Sequence, residues 1–381
     1  MKRITKLLVL SVFSLVLLSG CFNNNLALQR EKNVSRGDNI LIGVPVPLKF
    51  AQKNTNFLKG IDLALEDINA EGVNGKKIEV QIVDDKGNFK TAVDVAQEFS
   101  ANTHMLAVIG HWYSDICIPV SSIYEEAGML TIIPTVSNPE VTDKGYRYIF
   151  QSITSDKKIA EEMCAYAKSK GYEKIVVCYE DSSYGQNLAN AIEEGASKYQ
   201  IKIVDRSCGL LTNEQFKKAH DKWQALDFDV VLLALNMPEG GNYIKVLRAM
   251  NKDAGIICAD GLDVSNLIRE LGKDAEGIVI ATTYSPYEQR PELDSFNEKY
   301  HHKYNEEPDV WAIQGYDSLQ VIAHAIKQTN SYSPTVLADF LRQMKPWQTV
   351  SGQIRFNQFG EIDGREIHKK IVVNGQFQYI D

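Results

Sequence analysis

Residues 105–136, MLAVIGHWYSDICIPVSSIYEEAGMLTIIPTV, decide the fold. Met105–Gly110 and Met129–Pro134 are short apolar runs, and Asp115–Ala127 between them has the length and amphipathic pattern of a helix. Strand, helix, strand at this spacing is a parallel pair with a helical crossover. Strands apolar at nearly every position belong to a sheet covered on both faces.

The same rhythm extends in both directions. Upstream, strand Ile40–Val46 precedes a helix over Phe57–Ala70 with Leu58, Ile61, Leu65 and Ile68 at helical spacing; strand Lys77–Val83 and helix Phe89–Ser100 follow. Downstream of Thr154 the rhythm restarts. Helices Lys158–Lys170, Tyr184–Tyr199, Glu214–Leu226, Asn242–Asn251 and Val264–Leu271 alternate with strands Lys174–Tyr179, Lys202–Asp205, Val230–Leu235, Gly255–Ala259 and Gly277–Thr282. Glu292–Tyr304, Trp311–Gln328 and Pro334–Met344 then read as consecutive helices, too many to continue the second sheet, so the chain is expected to cross back to the first unit. Gly352–Ile380 reads as β-hairpins, with turn signals at Gln358-Phe359-Gly360 and Asn374-Gly375. The expected fold is α/β: two Rossmann-like lobes with parallel sheets, joined by a hinge, with a cleft between them.

A length of 381 residues fits two domains, and 44% hydrophobic with 24% charged residues is a globular composition. Lys and Arg total 41 against 49 Asp and Glu, a formal charge of -8, and no basic patch advertises a nucleic-acid partner. There is no G-x-S-x-G, H-E-x-x-H, Walker A or G-x-G-x-x-G string, so no catalytic residue or cofactor is expected. His301-His302 with Glu306-Glu307 lie at a polar helix end and read as a solvated face rather than a metal site.

The first residues differ from the rest. Lys2, Arg3 and Lys6 precede the apolar run Leu7–Leu18, then small residues lead to Cys21, which is the layout of a secretory signal peptide over residues 1–20. The run is shorter than a membrane span of about 20 residues. Phe22–Asp38 is polar and aperiodic and reads as a tether. Of the remaining cysteines Cys117, Cys164, Cys178, Cys208 and Cys258, odd in number and widely spaced, Cys178 and Cys258 sit in apolar strand patterns as small core residues.

Several strings carry a family resemblance. In the first lobe these are GIDLALEDINAEG (60–72), IVDDKGN (82–88), VIGHWYS (108–114), PVSSIYEEAGML (119–130) and IPTVSNPEVTDKGY (133–146); in the second, YEDSSYGQNLA (179–189) and ICADG (257–261). In this order and spacing the chain resembles the type I periplasmic binding proteins, most of all the leucine/isoleucine/valine-binding branch of ABC-transporter receptors. The resemblance implies three hinge crossings, with lobe 1 at 38–155 plus 283–357 and lobe 2 at 156–282 plus 358–381. Leu18-Ser19-Gly20-Cys21 likewise resembles the bacterial lipobox, which implies cleavage before Cys21, lipidation of Cys21 and a lipidated tether over 21–37. The mature chain would then hold 41 − 3 = 38 basic against 49 acidic residues.

A free amino acid is a zwitterion, and burying it needs donors for the carboxylate and acceptors for the ammonium. From local sequence alone Ser114 is the N-cap of the helix after Met105–Gly110, beside free N–H groups and the positive end of the helix dipole. The resemblance makes it the carboxylate-binding serine. It gives Ser137 a hydroxyl and backbone N–H contact, the Thr135 carbonyl an ammonium contact, Tyr184 a closing contact from lobe 2, and Asp260 the charge that pairs with the ammonium. Trp112, a core aromatic on its own terms, stands where relatives with aliphatic ligands carry smaller side chains; with Tyr113 and Asn236 it would wall a subsite for a compact or aromatic-compatible ligand. Two departures bear on the ligand. The first loop is Val46-Pro47-Leu48-Lys49-Phe50 rather than G-P-x-[ST]-G, which puts Lys49 and Lys53, either solvated lysines or selectors of an anionic group, near the cleft mouth. Gly87 and Tyr113 stand near the positions of the family's first-lobe disulfide. The implied function is a lipid-anchored, extracytoplasmic solute-binding receptor that closes on an amino acid or close analogue and delivers it to an ABC permease. The other reading is a receptor or sensor for amides, urea or small aromatic acids.

Overall fold

The computed structural model describes residues 26–210 and 212–380; the segment read as a signal peptide, 1–20, and Cys21 lie outside them. The elements in chain order are helix α1 (26–36), β1 (Asn39–Val46), α2 (Leu48–Asn54), α3 (Phe57–Glu71), β2 (Lys77–Asp84), α4 (Phe89–Ala101), β3 (Met105–Ile109), α5 (Ser114–Glu126), β4 (Leu130–Ile133), α6 (Glu140–Asp143) and β5 (Ile149–Gln151). Then come α7 (Asp156–Ser169), β6 (Lys174–Tyr179), α8 (Ser183–Lys198), β7 (Lys202–Cys208), α9 (Asn213–Ala225), β8 (Val230–Ala234), α10 (Glu239–Met250), β9 (Gly255–Cys258), α11 (Leu267–Leu271) and β10 (Val279–Thr282). The chain ends with α12 (Pro291–Tyr304), α13 (Val310–Thr329), α14 (Pro334–Gln343), β11 (Trp347–Thr349), β12 (Gly352–Ile354), β13 (His368–Val373) and β14 (Gln376–Ile380).

The strands form two large sheets and a small antiparallel pair, β11-β12. The first is parallel throughout, in the order β2-β1-β3-β4-β5. The second runs β14-β13-β10-β9-β8-β6-β7, parallel from β10 to β7, with β13 and β14 added antiparallel at the edge. Strand periodicity sorts side chains to the two faces. In β6, Ile175 and Val177 pack on one core layer while Val176 and Cys178 pack on the other; β8 does the same with Leu232 and Leu233. The β13–β14 turn is Asn374-Gly375 with φ of 52° and 73°, both left-handed as a type I′ hairpin requires.

Helices α12, α13 and α14 return to the first sheet, and Leu293, Ile322 and Leu341 join its core with Ile42 and Ile132. One close approach fixes where this layer sits. A Cβ on Gly60 of α3 would lie 1.8 Å from the Ala312 carbonyl oxygen of α13, and one on Gly315 would lie 2.4 Å from the Phe57 carbonyl oxygen. The two helices therefore cross backbone to backbone, which carries Phe57 and Trp311, at their N-terminal ends, to the edge of the cleft.

The chain passes between lobes after β5, after β10 and between β12 and β13. Arg365, buried in the last passage, donates to the Ser152 carbonyl of the first at 3.4 Å, and its other nitrogen reaches the Ser351 hydroxyl. The turn 356–362 stays with lobe 1: Gln151 and Glu361 bridge in parallel, and Gln151 N–H donates to the Gly360 carbonyl. The turn therefore covers the sheet edge that β5 would otherwise leave bare.

The segment read as a tether differs as well. Residues 26–36 are helical, and Ala27, Arg30 and Val34 are buried against lobe 1. Aperiodic polarity hid a helix whose buried side chains are one methyl, one valine and one guanidinium.

Candidate ligand-binding site

Every parallel strand of the two sheets points its C-terminal end at the cleft, the place where open α/β sheets receive ligands. The strand-end residues converge on a cavity of about 140 Å³ between the lobes. Ser114, Thr135, Tyr184, Asp260, Trp112, Tyr113 and Asn236 line it, together with Phe50, Asp115, Glu180, Ser182 and Trp311. Ser137 is not a lining residue. It lies one step behind, its carbonyl accepting from the Asp156 N–H at 2.9 Å, its buried hydroxyl without a hydrogen-bond partner of good geometry.

From lobe 1 the chain after β3 supplies Trp112, Tyr113 and Ser114. Ser114 is the first residue of α5, and the cap position belongs to Tyr113, whose side chain makes no capping bond. The sequence expectation of a capping serine is therefore off by one: Ser114 already has helical backbone, so its hydroxyl does not cap the helix, and the residue lines the cavity instead. The loop is held from beneath by His111, buried, with Nδ1 2.7 Å from Asp85 and Nε2 2.9 Å from the Tyr124 hydroxyl. The Thr135 hydroxyl donates back to this loop, at 3.2 Å to the His111 carbonyl. Trp112 packs in an aromatic wall, its ring centroid 5.5 Å from Phe50, 5.6 Å from Phe57 and 5.1 Å from Trp311. The Tyr113 ring fills the space over Gly87, where a Cβ would meet it at 2.8 Å, so aromatic packing stands where the family resemblance expects a disulfide.

From lobe 2, Tyr184 in the first turn of α8 donates to Asp260 at 2.8 Å and accepts from the Gly261 N–H at 3.1 Å. Asn236 is tied to Glu180, whose carboxylate accepts from the Asn236 N–H at 2.8 Å and side-chain amide at 2.9 Å, and from the Ser182 hydroxyl at 2.7 Å. Glu180 is thereby saturated, whereas Asp260 keeps an oxygen free of this network.

The charge balance is one-sided. Asp115, Glu180 and Asp260 line the cavity, and no Lys, Arg or His does. Burial pushes the Asp260 carboxyl up to about 6, and the charge of Asp263 adds to this, while the bond from the Tyr184 hydroxyl pulls the other way. Asp156, fully buried at the start of α7, has both carboxylate oxygens unpartnered; burial first and the charge of Asp260 second hold it well above the usual carboxylate range. The pair asks for a cation.

The lobes are closed on this cavity. Ser183 of α8 donates its N–H to Asp115 of α5 at 2.9 Å, and the Asn138 amide reaches the Ser183 carbonyl at 3.1 Å. Trp311 Nε1 donates to the Asp263 carbonyl at 2.6 Å, and Asn266 to the Asn54 side chain at 3.0 Å. The Val46–Phe50 loop is in fact the start of α2, which turns Phe50 inward; Lys49 is exposed, Lys53 pairs with Glu270 at 3.1 Å, and neither lysine lines the cavity. Sequence reasoning missed Phe50, Glu180, Asp156 and Trp311 as site residues. Glu180 sat in the quoted string YEDSSYG; Trp311, carried in from a returning helix, left no local signal.

No helix among the described residues is long and apolar enough to cross a membrane, and no group of three or more His, Cys, Asp and Glu is arranged to hold a metal ion. The model of the family described as periplasmic binding protein matches residues 40–374. The Leu/Ile/Val-binding protein homolog 1 of Brucella abortus is 28% identical over 347 residues, 89% of this chain and 92% of the relative. A leucine-, isoleucine-, valine-, threonine- and alanine-binding protein of Pseudomonas aeruginosa is 27% identical over 85% of this chain and 86% of its own length. The crystal structure of an ABC transporter substrate-binding protein from Desulfitobacterium hafniense in complex with Leu superposes with a TM-score of 0.81, at 32% identity, covering 90% of this chain and 100% of that one. Two closed parallel-sheet lobes with a strand-end cavity, matched over nearly the whole folded chain, make this protein a member of the periplasmic binding protein family.

Proposed function

We propose that the chain is the extracytoplasmic solute-binding receptor of an ABC importer, binding a compact amino acid or close analogue by hinge closure, with no catalytic step. The observation that carries this is the buried, cation-free cavity, in which Asp260 faces the hydroxyls and helix start of lobe 1. Ser114 and the first turn of α5 take the carboxylate, Asp260 takes the ammonium, and Tyr184 orients Asp260. Ser137 acts through Asp156 and Asp260 rather than by direct contact. Because ligand contacts come from both lobes, binding energy is gained only on closure, and the ligand shifts the hinge equilibrium. The permease then reads the closed form.

Size supports a small side chain. An apolar cavity of about 150 Å³ takes a benzene-sized molecule. The 140 Å³ here, walled by Trp112, Trp311 and Phe50, suits alanine to valine better than longer or aromatic side chains. Three carboxylates without a cationic side chain count against anionic ligands, including small aromatic acids. In this reading residues 1–20 are a signal peptide, Cys21 carries the lipid, lobe 1 is residues 38–155 plus 283–362, and lobe 2 is 156–282 plus 363–381.

The test is a thermal-shift screen of the chain from Asn23, unfolded and refolded to strip carried ligand. The panel is the common amino acids, γ-aminobutyrate, amides, urea and small aromatic acids. A ligand that binds only the folded state raises the melting temperature by mass action. Shifts with small α-amino acids are expected. Shifts only with amides or urea would transfer the site to an uncharged ligand and remove the role given to Asp260.

A further inference from the structure

The segment before β1 is built as a staple. Arg30, fully buried, donates to the carbonyls of Asn102 at 2.8 Å and Ser100 at 3.0 Å, and contacts that of Met105. Asn33 donates to Thr103 at 2.7 Å. Lys76 caps the other end of α1 through the Val34 carbonyl at 2.6 Å and the Ser35 carbonyl at 2.9 Å. At the N-terminal end, Ala27 packs on Gly128, where an added Cβ would meet it at 2.8 Å. These partners precede β4, β3 and β2, so α1 lies across the N-terminal ends of the first sheet. The ligand cavity is at the opposite, C-terminal ends, about 17 Å away along a strand such as β3. The outward face of α1 carries exposed Leu28, Lys32 and Arg36 at spacings of four, one apolar residue followed by two cations with no ion pair among the described residues. That stripe suits the surface of an anionic bilayer. Five residue steps lead from Cys21 to Leu26, a span of at most about 18 Å.

We infer that, while the receptor is off its permease, α1 holds the pole of lobe 1 against the lipid surface, with lobe 2 farthest from the membrane and the cleft opening sideways between them. This rests on the reading of Cys21 as the lipidated residue. A receptor on a slack tether would have no fixed face toward the membrane; one stapled by α1 has its height and direction set within the reach of five residues.

The experiment uses the full lipoprotein, matured in bacterial cells and reconstituted in phosphatidylcholine/phosphatidylglycerol vesicles that contain an acceptor-labelled lipid. Donor dyes go on His104→Cys, at the α1 end of lobe 1, or on Lys252→Cys, before β9 at the far end of lobe 2. Both are made with Cys208→Ser, since Cys208 is exposed while Cys117, Cys164, Cys178 and Cys258 are buried. Energy transfer at 104 should exceed that at 252 at least about two-fold. Arg30→Glu should shrink the difference by undocking α1, and so should a Gly/Ser insertion of about 12 residues after Asn25, which leaves α1 docked and only slackens the link. Equal transfer at the two positions in the otherwise unaltered chain would overturn the orientation and leave the lipoprotein reading standing. Failure of the chain to associate with vesicles, or a mass spectrum of the mature protein with no lipid on Cys21, would overturn the premise itself. Ligand-induced thermal shifts of the same samples report on the receptor reading separately.

Discussion

The two faces of the cleft are made of different chemistry. Lobe 1 offers an aromatic wall, Phe50, Trp112 and Trp311, together with the Ser114 hydroxyl and the first turn of α5. Lobe 2 offers Tyr184 and the carboxylates of Glu180 and Asp260. One face sorts by shape and donates to an anion; the other supplies negative charge. On the proposed reading, a ligand that satisfies both is dipolar, with its carboxylate on lobe 1 and its ammonium on lobe 2. Closure and binding are then one event, because neither face alone pairs both ends.

The comparison breaks most sharply at Asp260. Asp260→Asn should weaken amino-acid binding at least about 30-fold, since truncating one partner of a buried charge pair costs 2–5 kcal/mol. The same change should raise the melting temperature of the ligand-free protein at neutral pH. The folded carboxyl sits near 6, above its ordinary value of 3.8, so the folded state holds the proton more tightly. Its stability contribution is full at low pH and declines as pH rises between those values, leaving a net cost at neutrality that the amide avoids. Calorimetry with and without ligand reads both effects, and a variant that loses binding without gaining stability would break the account of a strained carboxylate.

A titration sharpens the same point. Affinity for an amino acid should fall about ten-fold per pH unit below about 6, as Asp260 takes up its proton, and Asp260→Asn should flatten that profile. Smaller changes belong to the lobe 1 face. Trp112→Leu opens the wall and should favour leucine over alanine by about ten-fold relative to the parent chain, a scale set by one to two methylenes in an apolar pocket. An unchanged ranking in competition titrations would make Trp112 a core residue only. The smallest effect is expected at the exposed latch: Asp115→Asn should change affinity less than about three-fold, through the dissociation rate, because solvent-exposed polar contacts contribute little.

Much of this was legible from residues 105–136 outward. Alternating apolar runs and amphipathic stretches fixed the two parallel sheets, because side-chain period and segment length are local properties. The strand-end positions of Ser114, Thr135, Tyr184 and Asp260 followed from the same pattern joined to the family resemblance. Boundaries were less secure where tertiary contacts decide them: Ser114 begins α5 instead of capping it, α2 replaces a loop, and 358–362 stays on the β5 edge of lobe 1. Helix α1 was hidden because its stability comes from Arg30 meeting three carbonyls far along the chain, not from an apolar stripe.

The sequence by itself determined which segments are strands and helices, that they form two α/β units, and which side chains end the strands. Only the tertiary structure decided what those side chains feel. Trp311 reaches the cavity because Gly60 and Gly315 let two helices touch at the backbone. Asp156 and Asp260 acquire raised proton affinities because both lobes together exclude water from them. Burial and charge proximity are sums over residues distant in sequence, and no local pattern carries them.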